Sequence, residues 1–477
     1  MSLLKKSGIV FLWSITGSAI GFAFQMGLAN ILGPSEYGKA NIVFGTAGAL
    51  AAFSSFGLPS LVTRECAKRQ DISRTILRHS TVKLALFNLL AIPIYYLSVR
   101  LMLRSTALET KSIAVTAIVL LFGQTLSQLL YSYYKGVSLT ERGSFIFNFA
   151  QRLVQVSVFF LLLSFCGPSF NLAVLSSLAS YFLPLGILCF LVIRAKRDTR
   201  KIDLPFSSGL SYYLTGITYS VYDSFSKVLQ GNFSGSLMVG ALSFGLTLGA
   251  IGNLFGAAFA SVAMPEFAKA WYEGDREHLR NTFMNVSRWN AYLVLPVVLF
   301  LALNIKRLIM LIGWETQGIT WIILLVLAAQ FFNSFVGPNG TLLNMAGQES
   351  REMRNGFIKL GVGLSLGFFL GPLFSWGIAL SLAFAEIGVN VLKYIQLKSL
   401  FGIVPYKRVH ICYLFLLAFA SALMNLALSH LLQKEFPWIL ASMVLVSFLM
   451  GLSFYFSPEP SDRAALKSIL EKLPLRY

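Results

Sequence analysis

Residues 9–32 read IVFLWSITGSAIGFAFQMGLANIL, and the next six, 33–38, read GPSEYG. Twenty-four residues without a charge, rising about 1.5 Å each, make a helix longer than the roughly 30 Å hydrocarbon core of a bilayer. The run follows Lys5 and Lys6, as the core of a signal peptide would. It is too long for such a core, however, and it ends in a Gly-Pro turn without a small-residue cleavage pattern, so it is expected to remain as span 1. Thirteen more apolar runs bounded by charge or by Gly/Pro follow at 40–63, 81–103, 112–134, 145–166, 170–193, 210–230, 236–263, 289–311, 319–345, 356–374, 376–397, 409–431 and 437–456. Together they occupy the 477-residue chain, of which 56% is hydrophobic and 12% charged. Soluble proteins carry roughly 45–50% apolar and about 25% charged residues. The sequence therefore predicts an all-α polytopic membrane protein with 14 transmembrane helices, and the mean hydropathy of +0.69 excludes a disordered chain.

Charge placement gives the orientation. With the amino terminus in the cytoplasm, 31 of the 39 Lys and Arg fall on cytoplasmic segments and 7 on outer ones, while Lys227 lies within a span. That is the positive-inside asymmetry. It predicts that both termini are cytoplasmic, and it assigns the net charge of +19 to anionic lipid headgroups, with no nucleic-acid partner. A missed or extra span would invert the alternation and destroy the asymmetry.

The chain also repeats itself. A shift of 202 residues places Gly33 of GPSEYG on Gly235 and Gly38 on Gly240, and it puts Arg104 on Lys306. Spans 5 and 11 both end in Gly-Pro, at Gly167-Pro168 and Gly371-Pro372, and spans 3 and 9 carry Pro93 and Pro296. The expected organisation is a six-helix bundle over 1–204, a second over 205–400, and an added helix pair with a tail over 401–477. Six is even, so the two copies share an orientation and are related by an axis along the membrane normal, with the substrate site between them.

Catalytic and nucleotide-binding patterns are missing from the sequence. No GxxxxGK[ST], GxGxxG after a strand, HExxH or DxD pair occurs, and the longest connections, 64–80 and 264–288, are too short for a nucleotide-binding domain. His79, His278, His410 and His430 are scattered. Cys66, Cys166, Cys189 and Cys412 stand singly, so neither a disulfide frame nor a metal site is expected. The expectation is a non-enzyme without cofactor or metal.

Charges inside the hydrocarbon region cost roughly 2.5–3.5 kcal/mol each on insertion scales, which makes each one a site candidate. Span 7 carries two, Asp223 and Lys227, in VYDSFSKVL. Four residues apart, they share a helix face, as a structural ion pair or as a site for an anionic group. The 202-residue shift sets Gln25 of span 1 in register with Lys227. Glu386 sits near the middle of span 12 with Asn390 one turn inward. A lone carboxylate there suits proton coupling, since desolvation raises its pKa, or else it is a neutral acid bonded to a neighbouring helix. Arg152 lies about two turns into span 5, either snorkelling to the inner headgroups or lining a cavity. Arg64 and Glu65 end span 2 as a cytoplasmic anchor. Arg100, Arg104, Lys306 and Arg307 supply four of the seven outer cations, as headgroup anchors or as a rim that attracts phosphate.

Several stretches carry a resemblance: LGPSEYGKANIVFG after span 1, GLPSLVTRECAK at the end of span 2, YYKGVSLTERG after span 4, and an Asp-bearing span 7 leading into SGSLMVGALSFG. In these the chain resembles the polysaccharide and oligosaccharide flippases of the multidrug/oligosaccharidyl-lipid/polysaccharide exporter superfamily. The resemblance implies a flippase that moves an undecaprenyl-diphosphate-linked sugar repeat unit across a bacterial inner membrane by alternating access, beside the glycosyltransferases and glycan polymerase of its pathway. Such proteins commonly carry basic residues in a central cavity. Here Lys227 would attract the diphosphate, Asp223 would position it or bind a coupling ion, and Gln25 would hydrogen-bond sugar or phosphate. Spans 13 and 14 would shape a groove for the polyprenyl tail. Two rival readings are a cation-coupled drug antiporter of the same fold, which usually has twelve helices, and a membrane glycan polymerase or ligase, which generally needs a long outer loop.

Overall fold

The computed structural model describes residues 3–68, 70–102, 110–137, 139–193, 210–315, 318–432 and 435–463. Among these the regular structure is helical, with no strand. The helices are α1 (Leu3–Ser54), α2 (Leu58–Lys68), α3 (Ser73–Met102), α4 (Thr110–Gly136), α5 (Thr140–Leu163), α6 (Phe170–Ile193) and α7 (Leu210–Tyr272), followed by α8 (Arg276–Leu303) and α9 (Ile305–Leu311). Then come α10 (Thr320–Val336), α11 (Asn339–Met345), α12 (Glu349–Leu370), α13 (Gly377–Phe401), α14 (Arg408–Leu431) and α15 (Glu435–Tyr455). The apolar runs read from the sequence fall on these helices. By length and apolarity, 7 helices of the described residues qualify to cross a membrane, or 8 when α10 and α11, bent by 43° at their junction, count as one broken span. Two of the seven are the long windows 12–54 and 216–257, each covering two of the predicted spans.

The sequence boundaries at 33–38 and 235–240 are kinks within continuous helices. Gly33 takes φ 71°, ψ 171° and Gly235 takes φ 83°, ψ 174°, a left-handed conformation that a side chain resists, so the same sharp bend occurs in α1 and in α7. The two bends touch. A β-carbon on Gly38 would run into the Ser236 carbonyl, one on Gly240 would run into the Pro34 carbonyl, and the Ser35 and Ser236 hydroxyls are 3.0 Å apart. These two contacts are related by the 202-residue shift. The remaining polar residues of the motif also have assignments. Glu36 accepts from the Phe170 backbone N–H at 2.9 Å, capping the start of α6, and pairs with Lys39. Tyr37 reaches back across the bend and donates to Gln25 Oε1 at 3.0 Å.

The chain packs as two compact units, one made of Met1–Ser243 with Gly367–Ile378, the other of Phe244–Leu366 with Ala379–Tyr477. These are groupings by contact, whereas the predicted divisions at 204/205 and 400/401 group by duplication, and the two need not coincide. In the first unit α2, α3, α4 and α6 bury Leu58, Val62, Ile76, Leu84, Leu129 and Leu188 in one cluster. Asn88 of α3 donates to Thr125 of α4 at 2.8 Å. Gln230 of α7 donates to the Ser375 carbonyl at 2.9 Å, tying in the segment that precedes α13.

The second unit holds its charges inside. Asp462, in the tail beyond α15, is fully buried and accepts from Arg288 Nη2 at 3.1 Å, Trp289 Nε1 at 2.8 Å and the Ser457 hydroxyl at 2.7 Å. Burial alone would raise its carboxyl, but these hydrogen bonds outweigh it and hold the group below the usual aspartate range. Nearby Glu459 is also lowered, first by the hydrogen bond from Lys407. The tail is thus strapped to the middle of α8 and the start of α14. Where α10 breaks at Gly337, its exposed carbonyls are met from outside: Asn290 donates to that of Ser334 at 2.7 Å, and the Tyr406 hydroxyl donates to that of Phe335.

Candidate functional site in the first unit

Helix α5 is not uniform. Phe145–Ala150 form a single π-turn, and Arg152 lies two residues beyond it. Such turns insert an extra residue into the helix and rotate everything that follows, so the azimuth of Arg152 is set by this irregularity. The neighbouring face of α1 is cut back at Gly17, where α5 comes close, and Arg152 lies beside Gly21. A β-carbon on Gly17 would collide with the Asn148 backbone, and one on Gly21 would lie 3.7 Å from Arg152 Nε. The Asn148 amide also donates to the Ser14 hydroxyl at 3.0 Å. The Gly17xxxGly21 spacing, common in polytopic proteins and uninformative by itself, here lies beside an arginine.

Arg152 is exposed, and Nη1 donates to Gln155 Oε1 at 2.9 Å. Among the described residues no carboxylate pairs with it. A guanidinium has five N–H groups and keeps its charge at any working pH, so most of its donor fork is open to a ligand. Gln25 stands one turn along α1 from Gly21, on the same face, already engaged by Tyr37.

Asp223 and Lys227 do form the pair expected from their spacing, with Lys227 Nζ 3.4 Å from Asp223 Oδ2. The partners are not equally buried: the Lys227 side chain is 16% exposed and that of Asp223 55%. The lysine stem crosses α1 where a glycine leaves room, since a β-carbon on Gly45 would be 3.3 Å from Lys227 Cδ. The lysine is therefore shared with a carboxylate while Arg152 is not, which reverses the ranking that the sequence suggests.

The other candidates are placed differently. Glu386 is not a lone carboxylate. Its Oε2 is 2.5 Å from Lys359 Nζ, with both side chains buried between α12 and α13, so the premise of an isolated acid falls. Lys306 is exposed at the start of α9; its neighbour Arg307 lies over the Trp438 ring at 4.1 Å and donates to the Leu432 carbonyl, which is anchoring. Arg104 lies outside the described residues, as does the side chain of Arg64.

Sequence reading missed a polar ladder. Glu352 pairs with Lys393 at 2.6 Å, Asn355 and Gln396 exchange hydrogen bonds at 2.8 and 2.9 Å, and Asn390 bonds both Glu386 and Asn339. The acid and base positions are seven residues apart on each helix, Glu352 and Lys359 on α12, Glu386 and Lys393 on α13, and antiparallel packing crosses them into two pairs. Drawing span 11 from residue 356 left Glu352 and Asn355 outside, and Lys359 and Lys393 were counted with the cytoplasmic cations. Extending the helical period back through ESREMRNGFIK would have exposed the stripe.

The sequence matches the polysaccharide biosynthesis protein family over residues 3–271. The chain belongs to that family. Its fold is shared with several solved membrane transporters. A structure described as the lipid II flippase MurJ in an inward closed conformation is similar with a TM-score of 0.71 at 12% identity, covering 94% of this chain and 98% of that one. An inward-facing multidrug resistance MATE transporter is similar at a TM-score of 0.60 and 14% identity, over 81% of this chain and 94% of that one. A superfamily transporter from Pyrococcus furiosus, described as having a binding pocket of reverse polarity, gives 0.56 at 14%, over 83% and 96%. No curated protein matches in sequence. The chain is a multi-pass membrane protein of transporter fold.

Proposed function

We propose that the protein is a flippase that carries undecaprenyl-diphosphate-linked oligosaccharide units from the cytoplasmic to the outer leaflet of a bacterial inner membrane, by alternating access, with both termini in the cytoplasm. The observation that supports this best is Arg152: a permanent cation about two turns into a span, beside Gly21 and paired with no carboxylate among the described residues. Leaving a cation unpaired at that depth is costly, and a diphosphate headgroup compensates the cost while bound. Lys227, partly neutralised by Asp223, is the secondary contact, and Gln25 lies where it hydrogen-bonds sugar or phosphate. Family membership supports the polysaccharide context, and the likeness to a lipid-linked-substrate flippase over nearly the whole of both chains supports the substrate class.

Deleting the gene is expected to stop display of one surface glycan while its lipid-linked repeat unit accumulates on the cytoplasmic side. Restoring the wild-type gene reverses both, and an Arg152→Ala gene does not. If the deletion left surface glycans intact and sensitised cells to cationic dyes, the drug-antiporter reading would replace this one.

A further inference from the structure

Next to Arg152 stands a buried polar residue that the reading above does not use. Gln155, 7% exposed, accepts from Arg152 Nη1 at 2.9 Å through Oε1, and its Nε2 donates to the Ser177 hydroxyl of α6 at 2.8 Å. The Ser177 hydroxyl in turn donates to the Ala173 carbonyl at 2.9 Å, so only its lone pairs face Gln155. That fixes the amide: the NH₂ must point to Ser177 and the oxygen to the guanidinium. The relay runs in one direction, from Arg152 through Gln155 and Ser177 to the backbone of α6, each member donating to the next.

We propose that Gln155 is a positioning residue, which orients the Arg152 fork with a neutral acceptor and so leaves the whole positive charge for an anionic headgroup. This inference rests on the reading of Arg152 as the anion contact. The choice of a neutral partner is its physical content. A carboxylate at the same distance would orient the guanidinium equally well, but it would neutralise the charge and occupy the fork bidentately. The protein uses carboxylates where a cation is to be silenced, at Lys359 and Lys393, and an amide where the cation is two turns into a span and open. With Gln155 holding one corner of the fork, Arg152 loses less side-chain freedom when a ligand arrives.

The purified full-length protein, probed with undecaprenyl diphosphate in detergent across pH, tests this. Gln155→Glu is expected to weaken binding at pH near 8 by about tenfold or more, because the new carboxylate competes with the phosphate for the fork. Relative to wild type at each pH, that loss should recover only below about pH 4, because the guanidinium beside it holds the new acid in its charged form and only the neutral acid again resembles an amide. Gln155→Met, similar in volume, is expected to weaken binding by a few-fold with no such pH dependence. A structural role would instead move the melting temperature of both variants and leave the affinity ratio flat with pH. Wild-type affinity for Gln155→Glu at pH 8 overturns the proposal, as does a loss that does not recover with acid. If Gln155→Glu does not accumulate, Gln155→Met decides: wild-type affinity overturns the proposal and a few-fold loss sustains it. Arg152→Ala separates the two levels. Undiminished binding by that variant removes the anion-contact reading itself, while its loss beside an unaffected Gln155→Glu removes only the positioning role.

Discussion

The two units partner their cations differently. In the second, Lys359, Lys393 and Arg288 each face a carboxylate within 3.1 Å, and the side chains on both sides are at most 11% exposed. In the first, Arg152 has a neutral partner and Lys227 shares a carboxylate that is more than half exposed. A paired, desolvated ion holds helices in one register and has no capacity left for a ligand; an oriented but unpaired ion contributes little to packing and is available to bind. The contrast separates a region whose described buried cations are all neutralised in pairs from one whose cations keep most of their charge.

The largest effect should come from breaking the ladder. Lys359→Ala leaves the buried Glu386 without its cation, and losing one partner of a buried pair typically costs about 3–5 kcal/mol. The variant should fail to accumulate or melt far below wild type in a thermal-shift assay. The double change Lys359→Met with Glu386→Leu should recover most of that stability, since no unpaired charge remains. If the double variant is stable but no longer transports, Glu386 does more than hold α13 against α12.

Arg152→Ala sharpens the other side. Transport should fall by at least about tenfold, the worth of a charge-assisted contact, while the melting temperature stays near that of wild type. A fall in stability comparable to that of Lys359→Ala would erase the distinction between the regions.

The tail strap responds to pH. Asp462 and Glu459 both have carboxyls held below their ordinary values, so their stabilisation is fully present above the unfolded values of about 4 and is lost as pH falls through the depressed folded values. Protease cleavage of the tail and the fluorescence of Trp289, which donates to Asp462, should both change most strongly below about pH 4. Any earlier change near pH 6 belongs to His410, 3.2 Å from Glu459, and should vanish in His410→Gln while the acid transition stays. Asp462→Asn should remove the Asp462 part of the acid transition and lower stability at neutral pH markedly, since it leaves the buried Arg288 without its carboxylate.

The smallest effect belongs to Asp223 and Lys227. With Asp223 more than half exposed and the charges 3.4 Å apart, their coupling should be within about 1 kcal/mol in a double-mutant cycle on stability. Lys227→Ala should reduce transport less than Arg152→Ala does. If Lys227→Ala proves the more damaging, the ranking drawn from the pairing is reversed and the anion seat moves to α7.

Length, hydropathy and charge asymmetry were enough to read an all-α polytopic chain, because crossing a bilayer imposes a length and a composition that any 24-residue apolar run displays openly. The GPSEYG turn and its counterpart at Gly235 were legible for a similar reason: only glycine tolerates that backbone bend, so the chemistry is local. Asp223 and Lys227 were also legible, since an i, i+4 spacing fixes a shared face. What only tertiary structure decided was which charges have partners. The crossing of Glu352 and Lys359 with Lys393 and Glu386 depends on the antiparallel register of two helices. The open fork of Arg152 depends on a π-turn in α5, Gly21 beside it on α1 and an amide turned by Ser177 on a third helix. Pairing is a relation between residues distant in sequence, and desolvation makes its presence or absence decisive, so the same lysine or arginine reads alike in the sequence whether it holds the fold or awaits a ligand.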